Sequence, residues 1–244
     1  MLFSEPSATP YDWRFRFLGM SVRVHPFFWL IAVLLGPKEA TADLGIVPLI
    51  VAWVVSVFIS VFIHELGHAL TLKYLFGANP WIAFYGMGGL TMHDPLYYRR
   101  RPGTAGNIFI SFAGPFAGFL FAALLIGLWI FAGLFGAGFH VDVSAGLHPF
   151  VAYTFHFMIF ISIVWGIFNL LPVYPLDGGQ ISREVFLWFS PRRGIVASLW
   201  ISIVTAFAIV ALCVSTKNLL PAILFGFLAF ENYRTLSHYS RGYR

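Results

Sequence analysis

Long apolar runs alternate along this chain with short stretches that carry the charges. Six runs stand out, at about residues 25–36, 45–72, 105–136, 149–171, 194–216 and 219–231. A helix rises 1.5 Å per residue, so crossing a hydrocarbon core about 30 Å thick takes roughly 20 residues. The second to fifth runs reach that length; the first and sixth are short for a crossing on their own. The pattern predicts an all-α polytopic membrane protein with about six transmembrane helices.

Composition removes the competing classes. Hydrophobic residues make up 59% of the chain and charged residues 10%, against roughly 25% charged in ordinary globular proteins. A soluble enzyme and a disordered chain are excluded. The single cysteine, Cys213, sits in an apolar run, which leaves neither an intramolecular disulfide nor a cysteine-built zinc cluster. A net charge of +5 invites a nucleic-acid partner, but the basic residues are scattered between membrane segments, so none is expected. With six crossings, every Lys and Arg except Lys38 and Lys217 falls on one side. The positive-inside rule then puts both termini in the cytoplasm, as expected of a multi-pass protein of the cell (inner) membrane. Residues 1–19 carry Glu5, Asp12, Arg14 and Arg16 and lack the apolar core of a cleavable signal peptide.

Ionisable groups inside a membrane helix are costly and point to function. The second run reads Val61-Phe62-Ile63-His64-Glu65-Leu66-Gly67-His68. His64 and His68, four residues apart, share one helix face, where two neutral imidazoles can hold one Zn²⁺. Glu65 lies close enough to take a proton from an attacking water. Chance would produce about 0.005 such motifs in a chain of this composition, so buried structural histidines are the weaker reading.

Zinc wants a third protein ligand and an open position. The other polar break, Asn169-Leu170-Leu171-Pro172-Val173-Tyr174-Pro175-Leu176-Asp177-Gly178-Gly179, has two prolines that interrupt a helix and two glycines that permit a tight turn. By itself it reads equally well as a loop turn. Depth decides between the two. His64 lies about 27 Å along a helix that enters near residue 46, close to the cytoplasmic boundary. The fourth run arrives at that same boundary, and Asp177 becomes the expected third ligand.

These two motifs resemble the site-2 protease family of intramembrane zinc metalloproteases, whose members join a His-Glu-x-x-His helix to a later Asn-x-x-Pro-x-x-Pro-Leu-Asp-Gly segment. The resemblance implies one zinc per chain held by His64, His68 and Asp177, with Glu65 as catalytic base. Asn169 matches the family's Asn, which implies a contact to substrate or oxyanion. His25-Pro26 resembles the entry to the family's first helix, and residues 86–90 its glycine-rich β-like segment after the metal helix. Ala113-Gly114-Pro115 matches its third helix, but Gly118 stands where an Asn is often found, so the third helix is expected only to pack. The implied organisation is an N-terminal cytoplasmic segment (1–23), a transmembrane metalloprotease domain (24–231) and a cytoplasmic tail (232–244). The expected partners are the lipid bilayer and a transmembrane protein substrate; the oligomeric state stays open. A zinc transporter and an inactive membrane scaffold are the alternatives; a transporter gains little from the glutamate beside the first histidine, and the complete motif argues against a scaffold.

The remaining histidines read as non-ligands. His25 is expected to anchor an interface by hydrogen bonding, His93-Asp94 to be a solvated loop pair, and His140 and His148 to face solvent. His156, about 21 residues before Asp177, lies near the opposite boundary. Arg99, Arg100 and Arg101 read as a topology anchor.

Overall fold

The computed structural model describes residues 7–86, 88–134 and 148–241. Strands β1 (Trp13–Phe17) and β2 (Met20–Val24) come first, followed by helices α1 (Pro26–Leu34) and α2 (Ile46–Leu70). A π-helical turn, Thr71–Leu75, extends α2 and leads to β3 (Pro80–Tyr85) and β4 (Gly88–His93). Helices α3 (Thr104–Leu134), α4 (Pro149–Asn169), α5 (Asp177–Phe189), α6 (Gly194–Ser215) and α7 (Leu219–Arg241) complete the order. Among the described residues, four helices are long and apolar enough to cross a membrane: Ile46–Leu75, Thr104–Phe131, Pro149–Asn169 and Gly194–Ser215. The first apolar run yields only the nine-residue α1, about 14 Å long and too short to cross alone. His140 lies outside the described residues.

Two compact units divide the chain: Met1–Arg101 with Ala113–Gly166, and Pro102–Phe112 with Ile167–Arg244. In the first, a four-stranded sheet runs β1-β2-β3-β4, with β2 and β3 parallel and the two outer pairs antiparallel. The β-like segment after the second run is therefore a hairpin inside a larger sheet. Two of its strands come from residues 13–24, which the sequence pattern had left as a simple N-terminal segment. Alternation explains them once they are seen. Met20, Val22 and Val24 are buried with Ile82, Phe84, Phe28, Val61 and Ala69 in one apolar cluster, while Ser21 and Arg23 point the other way. Gly86, with φ +54°, makes the turn before β4.

Helix α2 buries Leu49, Ala52, Ser56, Ser60, His64 and His68, a stripe at helical spacing. The serine hydroxyls donate to carbonyls of α4, Ser56 to Thr154 at 3.0 Å and Ser60 to Met158 at 3.2 Å. Small residues and interhelical hydrogen bonds hold membrane helices together where lipid removes the hydrophobic driving force. His25 caps α1, its Nδ1 accepting from the Phe27 N–H at 3.1 Å, which is the hydrogen-bonded anchor expected of it. His93 departs from expectation: it ends β4 and bonds the Tyr98 hydroxyl. Burial holds its imidazole below the ordinary range, with Asp94 opposing.

In the second unit, Val173, Ala206, Phe225, Leu228 and Ala229 form a core around the proline-bearing loop before α5. That loop lacks a regular hydrogen-bond ladder, so its polar groups need other partners. The Tyr174 N–H donates to Ser202 Oγ at 3.0 Å. Asn232 Nδ2 donates to the Tyr174 carbonyl at 2.7 Å and to the Leu228 carbonyl at 2.8 Å. Helices α6 and α7 thus hold the loop at Tyr174, one through its N–H and the other through its carbonyl. Asn232→Ala should strip the half-buried Tyr174 carbonyl of its donor and cost about 1 kcal/mol. The measurement is the thermal unfolding midpoint in detergent, which should drop relative to the exposed control Ser215→Ala.

Candidate metal centre

The first unit assembles a donor pair on α2. His64 and His68 are both buried, and their Nε2 atoms face each other at 3.3 Å. Two nitrogens bound tetrahedrally at about 2.0–2.1 Å from one zinc ion would lie about 3.3–3.4 Å apart. The imidazole pair therefore already has the spacing that a shared Zn²⁺ demands.

The surroundings are cut to the rings. Gly114 of α3 faces His68 so closely that a Cβ there would overlap the imidazole at Nε2. Gly67 of α2 meets Ala113 and Ala117 of α3 in the same way. Only hydrogen side chains let the two helices approach this far. The third helix, from which only packing was expected, thus borders the donor nitrogen of a candidate ligand. Gly118 itself faces the Ser162 carbonyl of α4, where a Cβ would make an ordinary contact at 3.4 Å.

Glu65, 5% exposed, points to the sheet instead of along the imidazole face. Thr91 Oγ1 of β4 lies 2.7 Å from Glu65 Oε2 and 3.0 Å from the Glu65 carbonyl, so its hydroxyl proton is shared between two acceptors. Gly89 leaves room for the side chain, since a Cβ there would collide with Glu65 Cγ. Strand β4 thereby orients the carboxylate. The sequence marked Gly89 and Thr91 only as part of a glycine-rich stretch able to pair with an unwound strand, and Gly114 only as part of a third-helix element; their contacts to Glu65 and His68 escaped it.

Asp177 and Asn169 belong to the second unit, and both are buried. Asp177 opens α5, where the positive end of the helix dipole favours a carboxylate. Gly178 and Gly179 make that start possible: a Cβ on the first would overlap the Leu170 carbonyl, and on the second the Tyr174 N. Asn169 is the last residue of α4, where the helix gives way to the clamped loop.

The comparisons with known proteins follow the motif. A family model described as peptidase family M50 matches residues 52–212. The zinc metalloprotease MJ0392 of Methanocaldococcus jannaschii is 28% identical over 174 residues, which cover 70% of this chain and 44% of that protein. Stage IV sporulation protein FB of Bacillus subtilis is 27% identical over 227 residues, 89% of this chain and 67% of that one. The chain thus spans less than half of the archaeal relative. A solved structure, the site-2 protease from Methanocaldococcus jannaschii, superposes with a TM-score of 0.59 at 21% identity, covering 93% of this chain and 95% of that one. That likeness establishes a shared fold. Because the family match spans more than half of the 244 residues and contains the His64-Glu65-x-x-His68 helix and Asp177 alike, the chain belongs to peptidase family M50.

Proposed function

We propose that this protein is a zinc-dependent endopeptidase of site-2 protease type, hydrolysing peptide bonds in transmembrane segments of substrate proteins. The observation that carries the reading is the 3.3 Å spacing of the His64 and His68 Nε2 atoms, on a helix that also buries Glu65 next to His64 in the chain. The archaeal relative's name, a zinc metalloprotease, supports the same metal. His64, His68 and Asp177 are the proposed ligands of one zinc ion per chain: two imidazoles and a carboxylate suit Zn²⁺ and leave a coordination position open. Zinc, when bound, supplies a Lewis acid for the scissile carbonyl and lowers the pKa of water.

The chain's own residues do the rest. Glu65 takes the proton of the attacking water as the C–O bond forms, then returns it to the departing amine as the C–N bond breaks. Thr91 holds that carboxylate in one orientation. Asn169 can donate to the carbonyl oxygen as negative charge gathers on it. A helical substrate hides its carbonyls in i→i−4 hydrogen bonds and must unwind first. Strand β4, at the edge of the sheet and tied to Glu65 by Thr91, offers the unwound segment a strand to pair with. The side carrying most of the Lys and Arg residues is the proposed cytoplasmic face, with both termini on it and six crossings.

Three measurements test this reading. Glu65→Gln should abolish cleavage of a model substrate while keeping near-stoichiometric zinc by elemental analysis, whereas His64→Ala and Asp177→Ala should lose both. Substantial cleavage by Glu65→Gln would overturn the mechanism.

Strand pairing predicts a periodicity. In a Cys213→Ala, Glu65→Gln background, disulfide trapping from Met92→Cys to cysteines scanned along the substrate should peak at every second position. A period of about 3.6 would show a docked helix and remove β4 as the docking edge.

The proposed sidedness predicts labelling. Cysteines placed at Pro191 and Ser237 should react with an impermeant thiol reagent from the cytoplasmic side, and one at Glu39 from the opposite side. The reverse pattern would invert the proposed topology.

A further inference from the structure

The outer face of the β1–β2 hairpin carries chemistry that the proposed proteolysis does not use. Its inner face is aromatic: Trp13 lies 5.8 Å from Phe58, and Phe15 and Phe17 lie 6.2 Å and 5.2 Å from Phe62, ring centre to ring centre. The outer face is cationic. Arg14 stands directly across from Arg23, and Arg16 across from Ser21. Like charges directly opposite on adjacent strands destabilise a sheet unless something of opposite charge lies between them.

The protein supplies part of that countercharge. Asp12 reaches Arg14 and Arg23 at 3.4 Å each. Burial opposes its ionisation, but hydrogen bonds from the Thr9 hydroxyl and N–H, the Arg14 contact and the nearby Arg23 charge hold its carboxyl below the ordinary range. Asp12 is therefore a fixed anion with four polar partners. It does not reach Arg16, which forms no ion pair among the described residues.

Between these side chains lies an open concavity of about 500 Å³, bordered by Ala8, Arg14, Arg16, Ser21, Arg23 and Trp81. Arg14 keeps 59% of its side chain exposed, whereas Arg23 keeps 13% and forms the floor. The lining offers planar guanidinium forks, which match phosphate oxygens two at a time, and the Ser21 hydroxyl and Trp81 indole N–H as further donors. A carboxylate-bearing ligand would use one fork; a phosphate can use several.

We propose that this concavity binds a phosphate group, supplied in the membrane by the headgroup of an anionic phospholipid. A hairpin with one face on the aromatic side of a membrane-length helix and the other lined by arginines suits the boundary where headgroup phosphates lie. The site is separate from His64 and Glu65 by the thickness of the sheet: Thr91, which touches Glu65, is paired with the inward-facing Ile82, and the arginines project from the opposite side. A soluble phosphate is the other source of the same chemistry.

The test has a lipid arm and a soluble arm, both on the full chain in neutral detergent. Native mass spectrometry should show retained phosphatidylglycerol in preference to phosphatidylcholine. The double variant Arg14→Gln, Arg16→Gln should weaken that retention at least about tenfold, given the strength of arginine contacts near anionic surfaces. Ser21→Glu, which removes no arginine but puts a carboxylate opposite Arg16, should do the same. The control Arg192→Gln, Arg193→Gln removes equal charge from another, exposed loop and should leave retention unchanged, and thermal unfolding should show all variants folded. In the soluble arm, calorimetry with inorganic phosphate that binds wild type, fails with the Arg14, Arg16 double variant and accompanies no phosphatidylglycerol retention would keep the phosphate site and assign it to a soluble ligand. Equal losses in both double variants, or no binding in either arm, would overturn the proposal.

Discussion

Two imidazoles and a carboxylate within five residues of a membrane-length helix set the terms for everything around them. Each is costly to bury in an apolar medium, and each must find a polar partner of defined geometry. His64 and His68 turn their Nε2 atoms to one another. Glu65 turns to Thr91. These orientations require backbone at close range, and that is where the glycines fall: Gly114 against His68, Gly89 against Glu65, Gly67 where α2 meets α3. The polar groups and the glycines are one arrangement, since a methyl group at any of the three positions would displace the groups on α2.

The sheet answers the same constraint from another direction. Backbone amides near a bilayer must be hydrogen-bonded internally or lie where water reaches them. A lone glycine-rich strand after α2 would leave its amides unpaired. Pairing β4 with β3, and β3 with β2 from the N-terminal hairpin, satisfies both sides of the inner strands. The hairpin also covers α1 and α2 with an aromatic face and leaves its arginines outward. In the second unit, the Asn169–Gly179 loop meets the requirement with side chains instead of strands. Ser202 and Asn232 serve Tyr174, and α5 starts at Asp177 because Gly178 and Gly179 allow it to tuck beneath residues 170–174.

Much of this was legible in the residues alone, for a definite reason. A stretch of 20 or more apolar residues has few soluble uses, so the long helices announce themselves by length. His64, Glu65 and His68 are four residues apart at most, and helical periodicity alone determines that the histidines share a face. The aspartate of the later motif was legible first as a break in hydrophobicity, and only the depth at which two runs end made it an expected ligand.

Tertiary structure decided what depends on residues distant in the chain. Nothing in residues 13–24 says that they complete a sheet begun beyond residue 80, because strand pairing is a non-local hydrogen-bond pattern with only a period of two to betray it. His93 read as a solvated loop residue, but β4 and the Tyr98 hydroxyl hold it half-buried. The third helix read as packing, yet Gly114 sits against His68 because helix crossings bring together positions some 46 residues apart. Local sequence determined which helices form and which face holds the donors, since both follow from periodicity within a few turns. Only the folded chain decided what stands behind each donor, since that depends on backbone approaching backbone across distances that no local pattern encodes.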